Sequence, residues 1–105
     1  MRKTLRHPSI EPSHPGAIIL GSLEDANIKR SDLATALGIS RNTLYKLLEG
    51  KQSMTAEMAI RVEAVMGGSA EVWMALQADH DLWHAQRSVD TKRLKRIVVR
   101  ADADG

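Results

Sequence analysis

The chain has no cysteine and no phenylalanine, and its aromatic residues are one tyrosine and two tryptophans. Without thiols there is no disulfide framework and no thiolate metal site, and a reducing cytosol is compatible. Without phenylalanine the core must be built from Leu, Ile, Val, Ala and Met, a set that suits packed helices. Long apolar runs are missing as well, and none approaches the roughly 20 residues of a membrane span. The N-terminal MRKTLRHPSIEPSHPG carries bases but no apolar stretch of signal-peptide length. Strong charge of one sign is also lacking: the formal net charge is only +2. Composition alone therefore argues weakly for nucleic acid. What is present is a 43% hydrophobic content over 105 residues, which fits one modest domain.

The distribution of charge says more than its sum. Residues 1–51 carry Arg2, Lys3, Arg6, Lys29, Arg30, Arg41, Lys46 and Lys51 against five acids. Residues 52–91 reverse the balance, with Arg61 and Arg87 against six acids, and residues 92–105 are basic again. A basic front and an acidic middle fit a protein with one face for phosphate and another for a different partner.

The most informative stretch is RSDLATALGISRNTLYKLLEGK at 30–51. It reads as two short helices joined by a tight turn. Leu33, Ala34 and Leu37 are the apolar residues of the first; Gly38 supplies the turn, and Ser40 restarts helix as an N-cap. Gly50 ends the second, where a left-handed residue is needed. On a helical wheel started at Arg41, Leu44, Leu47 and Leu48 fall between about 240° and 340°, one apolar stripe. Arg41, Asn42, Tyr45, Lys46 and Glu49 fall on the opposite, polar face. A small residue where two helices touch, Gly in the turn and apolar anchors beneath the second helix make a helix-turn-helix. Its second helix enters the major groove by its N-terminal end, where Arg41 and Asn42 lie. The alternative is an ordinary helical hairpin with a charged outer face.

Around this stretch the pattern predicts an all-α domain of five helices over residues 14–87, after an extended or mobile arm at 1–13. His14-Pro15-Gly16 opens helix one, with Ala17, Ile18, Leu20, Leu23 and Ala26 as its stripe. Residues 27–30 read as a connector, and Ser31 as the cap of helix two. Thr55 caps a fourth helix over 56–66, with Met58, Val62, Val65 and Met66 inward and Glu57 and Arg61 outward. Gly67-Gly68 stop it. Ser69 then caps a fifth helix to about Gln86, with Val72, Trp73, Leu76 and Trp83 at helical spacing.

The segment 88–105 differs, a basic run followed by β-branched Ile97, Val98 and Val99. It reads as a short strand, and a lone strand has nothing to pair with in a helical chain. That leaves disorder or a partner, most simply a second copy across a two-fold axis, and pairing is favoured. Trp83, near the end of helix five, fits a partner surface, so Trp83, Ile97, Val98 and Val99 form the expected dimer interface. His80 and His84 stand four apart on one helix face. With no third ligand fixed locally and Asp81 pointing elsewhere, they read as surface or interface residues, and no metal is expected. Nothing resembles a nucleophile turn or a paired-carboxylate site, so neither enzymatic activity nor a cofactor is expected.

Taken together, HPG at 14–16, LATALGISRNTLYKLLEGK at 33–51, MTAEMAIRVEAVMG at 54–67 and SAEVWMALQADHDL at 69–82 resemble the HigA-type antitoxins. These are a branch of the Xre, phage-repressor-like helix-turn-helix proteins. Val89-Asp90-Thr91 and the β-branched tail are similar to the turn and dimerisation strand of some relatives. The resemblance implies a cytoplasmic homodimer that binds operator DNA, represses its own operon and neutralises a HigB toxin, a RelE-like mRNA endonuclease. On that reading Arg41 reads guanine and Asn42 reads adenine edges, while Tyr45 and Lys46 touch bases or phosphates. Arg30, Ser40, Thr43 and Lys51 fix register on the backbone. Two other readings stay open: a stand-alone Xre-type regulator without a toxin, and an interaction module that has lost DNA binding.

Overall fold

The computed structural model describes residues 10–98. Its five helices are α1 (Pro15–Ala26), α2 (Arg30–Leu37), α3 (Arg41–Leu48), α4 (Ala56–Met66) and α5 (Ala70–Ser88). Each of the first three stops by the same device. A left-handed residue, Asn27, Gly38 or Gly50, turns the chain out of the helix. The next N–H then reaches back to a carbonyl of the last turn: Ile28 to Leu23, Ile39 to Ala34 and Lys51 to Lys46. Starts are capped by side chains: Ser40, Thr55 and Ser69 accept from Thr43, Met58 and Val72 N–H respectively. The limits expected for α4 are those observed.

One apolar core joins α1 to α5: Ile19 and Leu23 from α1, Leu33, Ala34 and Leu37 from α2, and Leu44, Leu47 and Leu48 from α3. Met54 from the following loop, Met58, Ala59 and Val62 from α4 and Trp73 from α5 complete it. The tryptophan indole also donates to the Gly67 carbonyl at 3.1 Å, tying the start of α5 to the end of α4.

Several expectations need correction. The inward stripe of α1 is Ile19 and Leu23, with Leu20 partly buried against the core, while Ala17 and Ile18 face out. Four successive apolar residues, Ala17 to Leu20, gave periodicity no way to choose the phase. Helix α2 starts at Arg30 with Lys29 at its N-cap and no side-chain cap; Ser31 lies inside it. Val65 and Val72 are exposed. Arg61, expected to face outward, is half-buried and donates to the Leu37 carbonyl at 2.8 Å, closing the open end of α2.

The short C-terminal strand is not seen among the described residues. Past α5 the chain turns at Lys92-Arg93, with Lys92 N–H bonded to Asp90 and Leu94 N–H to the Thr91 carbonyl. Ile97 and Val98 then run exposed, with no strand edge in the described chain to pair with. Val99 lies outside the described residues.

Candidate nucleic-acid interface

The position of α3 is set by one glycine. A β-carbon at Gly16 would lie 1.8 Å from the Leu47 carbonyl oxygen. The first turn of α1 therefore rests directly on the backbone of α3, and only a residue without a side chain permits that approach. His14 holds the other side of the junction. It is buried, its Nδ1 accepts from Gly16 N–H at 2.9 Å, and the ring also hydrogen-bonds the Gln52 backbone. Pro15 in the first turn loses no hydrogen bond there. With Leu44 and Leu47 fully buried beneath it, α3 is a short rod clamped from below.

The upper face of that rod is polar and open to solvent. Arg41, Asn42, Tyr45 and Lys46 are exposed on α3. Among the described residues no hydrogen bond or ion pair engages the side chains of Arg41, Asn42 or Lys46, so their side-chain donors are available to a ligand. Arg30 joins this face from α2, its guanidinium 5.5 Å from the centre of the Tyr45 ring. Ser40 and Thr43 serve the helix first: Ser40 Oγ caps Thr43 N–H at 3.0 Å and bonds Thr43 Oγ1 at 2.9 Å. Lys51 is exposed and 3.3 Å from Glu49. An ion pair this open to solvent holds the lysine weakly and yields to a stronger anion such as phosphate. The geometry thus brings Arg30, Arg41, Asn42, Tyr45 and Lys46 together around α3, with Lys51 beyond its end.

A second polar cluster, which the sequence reading did not assemble, lies where α1 meets α5. Residue 11 is not part of a detached arm: Glu11 Oε2 is 2.7 Å from His84 Nε2. The His84 and His80 ring centres are 4.5 Å apart, and His14 stands edge-on to His80 at 5.0 Å. Burial lowers the His14 pKa, helped by the neighbouring His80 and opposed by Asp81 and the Gln52 hydrogen bond. Asp81, expected to point away, is 3.3 Å from His80 Nδ1. It also accepts from the buried Gln77, whose amide oxygen takes the Met54 N–H at 2.6 Å. Trp83 is half-buried rather than open, with the Arg87 guanidinium stacked 3.5 Å over its ring. The signal that could have found the cluster is the i, i+4 histidine pair; its partners come from 66 and more residues earlier in the chain and leave no local trace.

Comparison with known proteins agrees with this geometry. The family described as "Helix-turn-helix" matches residues 23–73, which runs from the end of α1 to the first tryptophan. The chain is 38% identical over 97 residues to the HTH-type transcriptional regulator YddM of Escherichia coli, covering 92% of this chain and 98% of that one. It is 37% identical over 83 residues to antitoxin HigA-1 of Vibrio cholerae, covering 79% of this chain and 75% of that protein. The Pseudomonas aeruginosa antitoxin HigA, solved with the higBA promoter, superposes with a TM-score of 0.68 at 30% identity. That match covers 81% of this chain and all of the other. These relatives show the family: the chain belongs to the Xre-like helix-turn-helix family that includes the HigA-type antitoxins, a family of DNA-binding regulators and antitoxins rather than of enzymes.

Proposed function

We propose that this protein is a dimeric operator-binding autorepressor and the antitoxin of a HigB-type, RelE-like mRNA endonuclease. The observation that carries the DNA-binding half is the face of α3, where Arg41, Asn42 and Lys46 are exposed and uncommitted on a helix whose backbone is clamped by Gly16. Arg41 reads guanine through its two-pronged guanidinium, and Asn42 reads adenine. Tyr45 and Lys46 touch bases or phosphates. Arg30, Ser40, Thr43 and Lys51 fix register on the phosphate backbone, Ser40 and Thr43 within the limits set by their mutual hydrogen bond.

One recognition helix spans a few base pairs, so useful specificity needs a second copy with its helix about 34 Å away. Dimerisation through Trp83, Ile97, Val98 and Val99 is supported by the exposure of Ile97 and Val98, 80% and 92%. The antitoxin half is supported by the match to HigA-1 of V. cholerae. The match to a relative named only as a transcriptional regulator, which spans 92% of this chain, favours a second reading: a stand-alone regulator with no toxin. An interaction module that has lost DNA binding is disfavoured, since Glu49 is the only acid on α3 and its immediate cap, and it faces Lys51.

Operator binding tests the reading directly. Arg41→Ala should cost about 1–3 kcal/mol on the operator and relax base preference at one position per half-site. Lys46→Ala or Lys51→Ala should weaken all DNA alike and flatten the salt slope by about one. Equal losses on operator and random DNA for Arg41→Ala would make that residue a phosphate contact. Co-purification from the native host separates the two readings: a small basic partner establishes the antitoxin, and its absence leaves the regulator.

A further inference from the structure

We infer that Glu11, His80 and His84 form a binding site for a divalent transition-metal ion of the zinc type, which fastens the segment before α1 onto α5. One donor atom from each of the three residues lies within 4.8 Å of the other two. The two histidines stand at i and i+4 on one face of α5, the spacing that lets two imidazoles reach one ion. The carboxylate comes from a separate segment, already brought to 2.7 Å from His84 Nε2. Two nitrogens and one carboxylate oxygen are a zinc donor set, and a fourth tetrahedral position stays with solvent. An all-oxygen shell, which magnesium and calcium require, is not on offer.

The surroundings fit the same ion. His80 Nδ1 is 3.3 Å from the Asp81 carboxylate. With that nitrogen carrying the proton, Nε2 is left with its lone pair free for metal, the usual arrangement of a carboxylate behind a ligating histidine. Asp81 is itself held by Gln77 at 2.9 Å, and Gln77 is buried and anchored to Met54 N–H. Glu11 and Asp81 together supply two negative charges to balance a divalent cation. His14, though close, is not a ligand: its Nδ1 accepts from Gly16, and the ring's other hydrogen bond goes to the Gln52 backbone. A tetrahedral zinc site sets its donors about 3.3–3.5 Å apart. The Glu11–His84 pair therefore opens slightly and His80 swings in, within the freedom of partly exposed side chains.

Calorimetric titration of the untagged full chain with zinc chloride at neutral pH tests this, with magnesium chloride as the control ion. The expected result is one zinc bound per chain, no saturable magnesium binding, and a melting temperature raised by zinc. The double variant His80→Ala, His84→Ala should bind no zinc, Glu11→Gln should lose at least about tenfold in affinity, and Asp81→Asn about tenfold. His7→Gln, which removes the remaining histidine of the N-terminal stretch, should bind as the parent does. Cobalt(II) in place of zinc should give a visible absorption band in the parent and none in the double variant. Circular dichroism confirms that the variants keep their helices, as exposed or half-exposed positions should. Absence of saturable zinc binding overturns the inference. So does zinc binding that survives in the double variant, or affinity that Glu11→Gln leaves unchanged.

Discussion

Helices α3 and α5 spend their residues in opposite ways. The eight-residue α3 buries Leu44, Leu47 and Leu48 and takes a side-chain cap at its start and a left-handed glycine stop just beyond its end. The nineteen-residue α5 buries only Trp73 and Gln77, and leaves Val72 and Leu82 more than half exposed. A helix that must deliver a few donors to base edges needs its backbone fixed, because small displacements forfeit bidentate geometry. A helix more than twice as long with a mostly open surface has side chains left over for a partner. In the proposed function that partner is a second copy or a toxin; the buried residues of α5, Trp73 and Gln77, both lie in its N-terminal half.

The largest effects should come from substitutions in the clamp under α3. Leu47→Ala removes a fully buried side chain and should cost about 2–5 kcal/mol in urea unfolding. Gly16→Ala adds one methyl group where the Leu47 carbonyl already stands, and should cost about 3 kcal/mol, the upper range of overpacking. Gly21, in the same helix, has nothing within 4 Å of its missing β-carbon. Gly21→Ala should therefore stabilise by about 0.5–1 kcal/mol through helix propensity alone. Equal effects at the two glycines would show that α1 does not rest on α3.

On the α5 side the largest internal liability is Gln77. Its amide satisfies a buried backbone N–H at Met54, so Gln77→Leu leaves that donor without a partner. The expected loss is about 1–3 kcal/mol despite the gain in apolar volume. A neutral or stabilising result would mean that the loop at residues 52–54 finds water instead.

A smaller effect is expected from pH. His14 has its pKa lowered from 6.5 by burial and by His80. Below that value the unfolded chain takes up a proton that the folded chain still refuses, so the unfolded state binds more protons and stability falls with falling pH. The contribution is complete above 6.5 and is lost as pH drops through the folded-state value. His14→Asn keeps a capping acceptor and removes this titration, so urea midpoints measured with a chelator present should lose this part of their acid slope.

Much of this was legible in the sequence, and what was not has physical causes. The helix count, the caps at Ser40, Thr55 and Ser69 and the face of α3 follow from local rules, and local rules hold where a residue's partner is three or four positions away. The phase of α1 failed because Ala17, Ile18, Ile19 and Leu20 are all apolar and only tertiary packing can choose among them. Arg61 was misplaced because charge reads as exposure, although a long side chain can lie along the fold and bring its guanidinium to a helix end. Glu11 was assigned to a mobile arm because its partner His84 is 73 residues away. Asp81 was misplaced in the same way, since its bonds to His80 and Gln77 leave no periodicity to read.

The smallest effect on folding is expected at Leu82. Leu82 on α5 is 57% exposed, whereas Leu47 on α3 is 0% exposed. The same change, Leu82→Ala, removes little buried surface and should shift unfolding by no more than about 0.5 kcal/mol. Its helix propensity changes slightly in the favourable direction, which further limits any loss. If α5 is an interaction surface, however, the leucine acquires its burial from a partner, and truncating it removes apolar area from that contact. Operator affinity or partner capture should then drop while the denaturation curve of the dilute protein stays in place. A variant that leaves both unchanged would remove this face of α5 from the interface. One that unfolds as readily as Leu47→Ala would show that α5 is as deeply committed to the core as α3, and the contrast between the two helices would fail.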